Sequence, residues 1–363
     1  MCTPKPESGT ASETIGERKA RHLSICVDAE RYSVESGSAG FEELAFPHRA
    51  LPELSTDEVD TGVDFLDRRV SMPVLISSMT GGSDEGYMAN KNLATAAQQA
   101  GIPVGMGSIR ILFRKPEVLE HFRLKRFAPD VPVFANLGGV QIRDLPHEDI
   151  IEMLKRLEVD ALAVHLNPGQ ELFQPGGDRD FRGIMESIGR FCEVSPKPVI
   201  VKETGFGIHP VEVRRLLDLG VAYVDLAGSG GTNWVSVESY RLEGSLCESA
   251  GEFASWGTPT AALLAAVGHR GGRIIASGGL RSGMDVAKAV ALGAELCGLA
   301  LPFIRAVVTD GVDGALALCE RLHKTIETAM VLTASHTLEE LRGRVLLRSQ
   351  RFDTLVRALG EDS

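Results

Sequence analysis

Short apolar runs alternate with amphipathic stretches along most of the chain, and the alternation becomes regular from about residue 71. Eight of these runs are rich in β-branched and small apolar residues. They occupy residues 72–79, 103–108, 131–138, 160–166, 197–203, 222–228, 273–279 and 295–301. No polar residue alternates regularly within them, which is typical of parallel strands that are covered on both faces.

The amphipathic stretches between these runs predict helices, as at residues 88–101, 147–159, 209–220 and 283–294. Several end in glycine, which often caps the C-terminus of a helix. The first four strands begin about 29 residues apart, the length of a strand followed by a helix. Eight such units predict a (β/α)8 TIM barrel. A doubly wound open sheet is the alternative, but no GxGxxG follows the first strand and eight nearly equal units favour closure.

The segments outside the barrel predict a tail, an extension and additional helices. Residues 1–17 are polar and are expected to form a flexible N-terminal tail. Residues 18–363 are expected to form a single domain with its barrel core at about 71–305. The last helical stretches should pack beyond the closed barrel. Two insertions, at roughly 167–182 and 229–256, follow strands four and six on the carboxyl face, where ligand-binding loops lie in barrels.

The charge balance limits the classes of partner. Lys and Arg total 38 against 49 Asp and Glu, a formal net charge of −11. Such an acidic surface argues against nucleic acid or an anionic membrane as partner. The sequence contains neither an apolar run long enough to span a membrane nor a targeting segment, so we expect a cytoplasmic protein. An anionic ligand would need a local cationic cluster, and Arg18, Lys19, Arg21 and His22 form one.

Glycine-rich turns follow several predicted strands. Gly278 and Gly279 follow the seventh strand, and Arg281 comes two residues later. Barrels often bind a phosphate with the loops after strands seven and eight, where glycines admit the backbone and helix N-termini offer N–H groups. We therefore favour a phosphate site over the alternative that these glycines only form a tight turn.

Polar residues within otherwise apolar strands are candidates for chemistry. Lys202 lies in the fifth strand, and a buried ammonium without a partner is unfavourable. An ion pair with Glu203 is the alternative role, but neighbours in a strand point to opposite faces. We therefore expect Lys202 to point into the barrel mouth towards an anionic or electron-rich ligand.

The end of the fourth strand is the most informative segment. His165, Asn167, Gln170 and Glu171 fall within seven residues. A single carboxylate among amides suits Mg²⁺, which keeps several waters and also binds phosphate oxygens. For the acidic residues at 178–180 we expect a solvated ion-pair cluster.

Seven motifs occur in order along about residues 18–305, namely RKxxH, MTGG, GSxR, HLNPxQE with QPxGDRD, VKExGxG, GxGGTxW and SGGxRSG. Together they resemble the type 2 isopentenyl-diphosphate Δ-isomerases, an FMN-dependent barrel family. The resemblance implies an FMN-binding barrel domain that holds FMN, Mg²⁺ and the diphosphate of a prenyl substrate. Ile109, Ala227 and Phe181 depart from residues common in that family, and the resemblance implies that Ile109 lies near the diphosphate.

The resemblance also implies roles for particular residues. The implied flavin contacts are Ser78, Met79, Thr80, Ser108, Asn136, Lys202 and Thr232. The implied surroundings of the FMN phosphate are Gly279, Leu280, Arg281, Ala300 and Leu301. The implied diphosphate receptor comprises Arg18, Lys19, Ser108 and Arg110. Gln170 would lie beside the reacting alkene with His165 nearby, Lys202 would stabilise reduced flavin, and Glu171 would bind Mg²⁺.

The implied reaction interconverts isopentenyl and dimethylallyl diphosphate, with reduced FMN as the acid/base catalyst and NADPH needed only to reduce it. We also expect a homo-oligomer. Two alternatives stay open. One is an FMN-dependent 2-hydroxy acid oxidoreductase on the same barrel, although no HGGR-like segment with a catalytic histidine follows strand six or seven. The other is a flavin-binding scaffold without turnover.

Overall fold

The computed structural model describes residues 15–81 and 83–361. Its strands are β1 (Leu44–Ala45), β2 (Val63–Phe65), β3 (Arg68–Val70), β4 (Val74–Ile76), β5 (Val104–Ser108), β6 (Val133–Gly138), β7 (Ala161–Leu166), β8 (Val199–Glu203), β9 (Tyr223–Asp225), β10 (Ile274–Ser277), β11 (Leu296–Leu299) and β12 (Leu347–Arg348). Strands β4 to β11 form a closed parallel barrel in which β11 pairs with β4. Each barrel strand lies within one of the eight runs predicted as strands, so the (β/α)8 TIM barrel is confirmed.

Helices follow the barrel strands in the sequence and pack around the barrel. They are α1 (Ile15–Val27), α2 (Asp84–Ala100), α3 (Gly139–Asp144), α4 (His147–Leu157), α5 (Pro168–Phe173), α6 (Ile184–Val194), α7 (Pro210–Asp218), α8 (Trp234–Ser239), α9 (Gly244–Glu252), α10 (Thr260–Val267), α11 (Gly283–Ala291), α12 (Leu301–Leu332), α13 (Leu338–Arg342) and α14 (Gln350–Glu361). The predicted insertions carry α5 after β7, and α8 and α9 after β9. A kink divides α12 at Gly311, whose φ is 62°.

Local sequence signals fix the ends of the helices. Ser83 precedes α2, and its hydroxyl accepts a hydrogen bond from the backbone of Gly86 at 3.1 Å. Gly101 ends the same helix in the left-handed conformation that glycine tolerates best. Ser282 and Asp285 form a reciprocal capping box at the start of α11. The caps at Ser83 and Ser282 therefore mark where the turns after β4 and β10 end and the next helix begins.

The N-terminal extension lies against the carboxyl face of the barrel. The Lys19 ammonium of α1 donates to the carbonyl of Ser108, at the end of β5, at 2.9 Å. Further along, the carbonyl of Val34 accepts from the backbone N–H of Asn233 at 2.8 Å. Strand β1 then pairs antiparallel with β12, so the extension also contacts the C-terminal helices. The extension therefore covers loops that could bind a ligand.

The N-terminal boundary differs from the expected one. The sequence predicts a tail up to residue 17, whereas α1 begins at Ile15, so residues 15–17 are helical. Residues 1–14 lie outside the described residues.

One contiguous apolar core extends from Ile25 in α1 to Phe352 in α14. The division into a tail and a single domain stays a prediction. Within the described ranges, no helix has the length and apolar character needed to cross a bilayer.

Candidate active site

A cavity of about 200 Å³ lies at the carboxyl ends of the barrel strands, and each barrel strand or the loop directly after it contributes to its wall. This end of a TIM barrel carries the binding sites of the fold. All but two of the predicted site residues line the cavity, namely Arg18, Lys19, Ser78, Met79, Ser108, Arg110, Asn136, His165, Gln170, Glu171, Lys202, Thr232, Gly279, Arg281, Ala300 and Leu301. The structure thus brings together residues that are almost 300 positions apart in the sequence.

The two exceptions are Thr80 and Leu280. Thr80 is buried and lines a neighbouring cavity of about 30 Å³, together with Lys19, His22 and Trp234. Leu280 is fully buried in the core, and its carbonyl accepts from the Arg281 guanidinium at 2.7 Å. The Leu280 side chain therefore does not face a ligand.

Unpartnered hydroxyls mark the wall at the end of β4. Ser77 Oγ, Ser78 Oγ and Thr80 Oγ1 are buried, and the described residues offer none of them a hydrogen-bond partner. A buried hydroxyl without a partner is unfavourable by about 1–3 kcal/mol. Ser77 and Ser78 line the large cavity, so a polar ligand in it can satisfy their hydroxyls. The polar edge of a flavin ring has the donors and acceptors that this wall lacks.

Close backbone packing shapes the loops after β9 and β10. Gly278 and Gly279 have φ values of 94° and 82°, which side chains other than glycine rarely adopt. A Cβ on Gly279 would lie 2.6 Å from the carbonyl carbon of Gly230, and one on Gly231 would lie 2.6 Å from Gly279 N. Only glycine fits these positions without movement of the loops. The cavity wall here is therefore backbone, as in phosphate-binding loops.

The helix that supplies free N–H groups differs from the expected one. The sequence predicts that the helix after strand seven, α11, offers them. In the structure the Asp285 carboxylate accepts from the backbone N–H groups of Arg281 and Ser282, both at 3.0 Å. The start of α12 also lines the cavity, through Ala300 and Leu301. Its first turn has N–H groups without intrahelical partners, which favours an anion.

Arg281 has a partner that the sequence analysis did not identify. Its Nε donates to Oε1 of Glu35 at 2.9 Å, while the guanidinium also lines the cavity. Glu35 lies in the N-terminal extension, 246 residues from Arg281. A lone glutamate in an irregular segment gives no local sequence signal of such a contact.

Three cations lie close together at another wall of the cavity. Burial and the charges of Arg18 and Arg110 lower the pKa of Lys19 to about 7. Burial and the charge of Arg110 likewise lower the pKa of Arg18. Like charges held together in this way repel one another, and a polyanion would relieve the repulsion. This wall therefore brings together the kind of cationic cluster that an anionic ligand of this acidic protein would need.

His165 is held as a neutral imidazole. Burial, with the nearby charges of Lys202, Arg110 and Lys19, lowers the pKa of His165 to about 3. Its Nδ1 lies 2.9 Å from Oδ1 of Asn136, a contact in which the histidine nitrogen is the donor. The other ring nitrogen is then an acceptor. His165 is thus suited to accept a hydrogen bond and unsuited to be a base at neutral pH.

Lys202 points into the cavity as predicted and does not pair with the Glu203 side chain. Its Nζ donates to the backbone carbonyl of Glu203 at 2.5 Å. The Glu203 carboxylate instead accepts from the backbone N–H of Gly205 at 2.6 Å. Burial raises the pKa of Asp225, which faces Lys202 across the β8–β9 register, while the lysine charge opposes that rise. Lys202 therefore presents a positive charge to the cavity.

The sequence analysis missed a buried carboxylate beside Gln170. Glu238 in α8 is fully buried and accepts from the Gln170 side-chain amide at 3.0 Å. Nε2 of His22 lies 2.9 Å from the same carboxylate, which also forms an ion pair with Arg241. Burial alone would raise the pKa of Glu238, but His22 and Arg241 outweigh it and hold the pKa below its usual value. The sequence indicates only the burial of this glutamate, which follows the apolar Val235 and Val237, and carries no signal of its contact with Gln170.

Glu171 is buried at the cavity wall among amide donors. Its carboxylate accepts from the backbone N–H of Asp178 at 2.9 Å and from the side chains of Gln174 and Asn167 at 3.2 and 3.3 Å. Within residues 15–81 and 83–361, no three His, Cys, Asp or Glu side chains form a metal-binding group. A Mg²⁺ ion here would have one protein carboxylate as ligand, a donor set that this ion accepts when phosphate and water complete it.

The acidic loop at 178–180 fulfils the prediction only in part. Asp180 pairs with the exposed Arg182 at 2.7 Å, as expected of a solvated cluster. Asp178 instead lies 3.8 Å from the guanidinium of Arg110, which lines the cavity, and its backbone N–H donates to the Glu171 carboxylate. The position of Ile109 also differs from the expectation that it adjoins the diphosphate, because its side chain is fully buried in the core.

Relatives of this chain share one name. The isopentenyl-diphosphate delta-isomerase of Borreliella afzelii is 44% identical over 329 residues, which cover 90% of this chain and 92% of the relative. Proteins of the same name from Nostoc sp. and Methanothrix thermoacetophila are each 40% identical. The alignments cover 93% and 95% of this chain, and 97% and 98% of those relatives. A family model described as FMN-dependent dehydrogenase matches residues 178–348.

Solved structures of flavin enzymes share the fold. A mutant flavocytochrome b2 with pyruvate bound superposes with a TM-score of 0.65 at 20% identity, over 94% of this chain and 84% of the other. A mandelate oxidase mutant with (S)-mandelic acid gives a TM-score of 0.58 at 18% identity, over 92% and 97%. At these identities the likeness shows the fold alone. The relatives at 38–44% identity show more: the chain belongs to the isopentenyl-diphosphate delta-isomerase family.

Proposed function

We propose that this chain interconverts isopentenyl diphosphate and dimethylallyl diphosphate, with FMN as its cofactor. In the forward reaction the terminal alkene carbon gains a proton and the methylene carbon on the other side of the internal alkene carbon loses one, so no electrons are gained or lost overall. The main support is that one cavity contains two separate sets of residues that could each bind an anion, and the two sets lie on different structural elements. The cations of α1 and the turn after β5 form one, and the glycine loops with the start of α12 form the other. A cofactor phosphate and a substrate diphosphate need two such sites.

The proposed flavin site uses the wall with unpartnered hydroxyls. Bound in its reduced form, FMN supplies the acid/base function near its N5 atom. The proposed ring contacts are Ser78, Met79, Thr80, Ser108, Asn136, Lys202 and Thr232, and the proposed phosphate surroundings are Gly279, Leu280, Arg281, Ala300 and Leu301. The buried hydroxyls at the end of β4 support this assignment, since a polar ring edge would satisfy them. The Lys202 ammonium would stabilise an electron-rich ring.

The proposed substrate site uses the three cations and Glu171. Arg18, Lys19 and Arg110 would bind the diphosphate, with Ser108 orienting Lys19 through its carbonyl. Glu171 would bind Mg²⁺, which in turn would bind diphosphate oxygens. Asp178 holds the Glu171 carboxylate through its backbone N–H, so this carboxylate has a fixed orientation. The diphosphate would then be bound both by the cationic side chains and by the Mg²⁺ ion.

Gln170 is proposed to lie beside the reacting alkene, with His165 nearby. The Gln170 amide nitrogen donates to Glu238, and its oxygen accepts from Asn167 at 2.9 Å. Both ends of the amide are therefore fixed, which sets its orientation. The neutral imidazole of His165 adds no charge that would oppose a positive charge developing on the alkene carbon.

We propose NADPH as the reductant that brings FMN to its active form, outside the catalytic cycle. The isomerisation itself consumes no electrons, so the reductant acts once for many turnovers. We also propose a homo-oligomer, and light scattering of the purified protein at several concentrations tests it.

The proposed function is tested by an anaerobic assay with isopentenyl diphosphate, FMN, Mg²⁺ and NADPH, in which the product is followed by mass spectrometry. We expect dimethylallyl diphosphate to accumulate until it reaches equilibrium with the substrate. A protein that retains FMN but forms no product would instead be a flavin-binding scaffold. Oxidation of a 2-hydroxy acid, assayed in parallel, would favour the oxidoreductase.

The cavity itself argues against the oxidoreductase. Such an enzyme needs a base at neutral pH, and the histidines that line the described cavity are His22 and His165. Burial and nearby cations lower the pKa of His165 to about 3, and His22 lies in α1, not after strand six or seven where such enzymes typically carry the base. The histidine of GHRGG, His269, precedes β10 at the opposite end of the barrel. The isomerase therefore fits the site better.

A further inference from the structure

One carboxylate joins two arginines that follow neighbouring barrel strands. Glu35 accepts from Arg281 Nε at 2.9 Å through Oε1 and from Arg305 Nη1 at 3.0 Å through Oε2. Arg281 follows β10, and Arg305 lies in the first turns of α12, after β11. All three side chains are about one-third exposed. Burial alone would raise the pKa of Glu35, but the two guanidinium groups outweigh it and hold the pKa below its usual value. The glutamate is therefore a charged bridge at neutral pH.

The backbone around Glu35 is fixed on the loops of the flavin site. Glu35 forms an isolated antiparallel bridge with Thr232, in the loop after β9. The adjacent Val34 carbonyl accepts from Asn233, and the carbonyl of Ala39 accepts from Ala261 at 2.9 Å. The Glu35 side chain thus starts from a backbone that is itself paired with the site loops. Because the backbone of Glu35 is held in place, a movement of one arginine bonded to this residue affects the other arginine more than it would if the two were joined only by exposed, mobile side chains.

Arg305 extends the bridge to the helix of the substrate site. Its Nε donates to the carbonyl of Cys26 at 3.2 Å, in the last turn of α1. A cation at this end of a helix is favourable, because the last carbonyls lack intrahelical partners. The same helix carries Arg18 and Lys19 about two turns earlier. A continuous chain of polar contacts therefore links the loop after β10 with α1.

We propose that Glu35 is a positioning residue that couples occupancy of the flavin-phosphate loop to the placement of α1, so that FMN and a diphosphate each tighten the binding of the other. This inference rests on the proposed function for the identity of the two ligands. A phosphate that orders the loop at Arg281 also orders Glu35, Arg305 and the end of α1. Because Arg18 and Lys19 are then already ordered, binding of the diphosphate costs less conformational entropy. Because coupling of this kind is reciprocal, it can be measured from either ligand.

The test measures FMN affinity of the full-length apoprotein by fluorescence quenching, with Mg²⁺ present, with and without saturating inorganic pyrophosphate. We expect pyrophosphate to lower the FMN Kd of the unmodified protein by about fivefold or more, the lower range of typical coupling. In Glu35→Gln, which keeps the shape and removes the charge, this ratio should fall to about one while both ligands still bind. Glu30→Gln, an exposed position of the same extension, is the matched control and should keep the full ratio.

A second variant makes the test independent of the folding of the first. Arg305→Gln breaks the link to α1 without removing Glu35, so it should also reduce the ratio to about one. Kinetics supply a further readout, since both variants should raise the KM for isopentenyl diphosphate and leave kcat nearly unchanged. A ratio in either folded variant equal to that of the unmodified protein would overturn the coupling. So would a ratio of one in the unmodified protein, whereas failure of that protein to bind FMN at all would contradict the proposed function as well.

Discussion

The side-chain amide of Gln170 donates to the carboxylate of Glu238 at 3.0 Å, and this contact joins the two insertions of the barrel. Gln170 lies in α5 after β7, and Glu238 lies in α8 after β9. The glutamate also pairs with His22 of α1, so three segments that cover the cavity meet at one buried carboxylate. A buried charge with several partners fixes geometry more strongly than an exposed pair does.

Replacement of Glu238 by Gln should lower kcat about 10- to 100-fold, because the Gln170 amide then loses its charged acceptor and its fixed orientation. FMN affinity should change little, since Glu238 does not line the described cavity. Glu243→Gln, an exposed position in the same insertion, is the matched control. A kcat within twofold of the unmodified enzyme would show that Gln170 needs no such support.

Much of the fold and of the site could be predicted from the sequence because short-range signals encode them. The barrel strands are buried on both faces and appear as apolar runs, and turns with positive φ appear as glycines, as at Gly278 and Gly279. Polar residues at strand ends, such as His165 and Lys202, are expected to face the barrel mouth once the barrel is recognised, because the other face of each strand packs against apolar helices. These placements follow from periodicity and topology alone.

The contacts that were missed are long-range pairs between irregular segments. Glu35 lies 246 residues from Arg281, and no periodic pattern determines where an extension settles on a barrel. Glu238 lies 68 residues from Gln170, in an insertion whose helices have no counterpart in the βα repeat. The direction of a side chain within a turn is equally hidden, so Ile109 was placed beside the diphosphate although it faces the core. Only the folded arrangement shows such pairs.

Replacement of Arg281 by Ala should weaken FMN binding about tenfold or more. The change removes a charge-assisted contact of about 1.5–3 kcal/mol and leaves the Glu35 carboxylate beside the phosphate loop with one arginine fewer. The double variant Arg281→Ala with Glu35→Gln should recover part of this loss, because the exposed negative charge is gone. Titration of the apoprotein with FMN measures the affinity of the unmodified protein, of Arg281→Ala and of the double variant. Full affinity in Arg281→Ala would move the phosphate site away from this loop.

Replacement of Glu171 by Gln should raise the Mg²⁺ concentration that activity requires by about tenfold or more, while FMN stays bound. The amide keeps the shape and its neighbours, but it lacks the charge that makes a carboxylate a Mg²⁺ ligand. Activity measured against Mg²⁺ concentration gives the shift. Glu186→Gln, at an exposed position in α6, serves as the control. Unchanged Mg²⁺ dependence in Glu171→Gln would place the metal elsewhere.

The pH dependence of kcat/KM should show a loss of substrate binding as the pH rises through about 7. Burial and two neighbouring arginines lower the pKa of Lys19 to about 7 in the free protein, so its ammonium predominates below that pH and is lost above it. Lys19→Arg keeps the charge at all relevant pH values and should remove this limb of the profile. Lys155→Arg, on the exposed face of α4, should leave the profile unchanged. A limb near pH 7 that persists in Lys19→Arg would assign it to another group.

The electron balance of turnover separates the isomerase from the oxidoreductase. An isomerisation returns every electron to where it began, so one equivalent of NADPH per flavin, or dithionite in its place, should support many turnovers without air. The flavin spectrum should stay that of the reduced form throughout. In D₂O the allylic product should carry solvent deuterium, since one proton is added and another is lost. The two groups proposed beside the alkene support this outcome, because neither the Gln170 amide nor the His165 imidazole, whose pKa is about 3, is a base strong enough to start a hydride transfer. Consumption of one NADPH for each product molecule would contradict the isomerase.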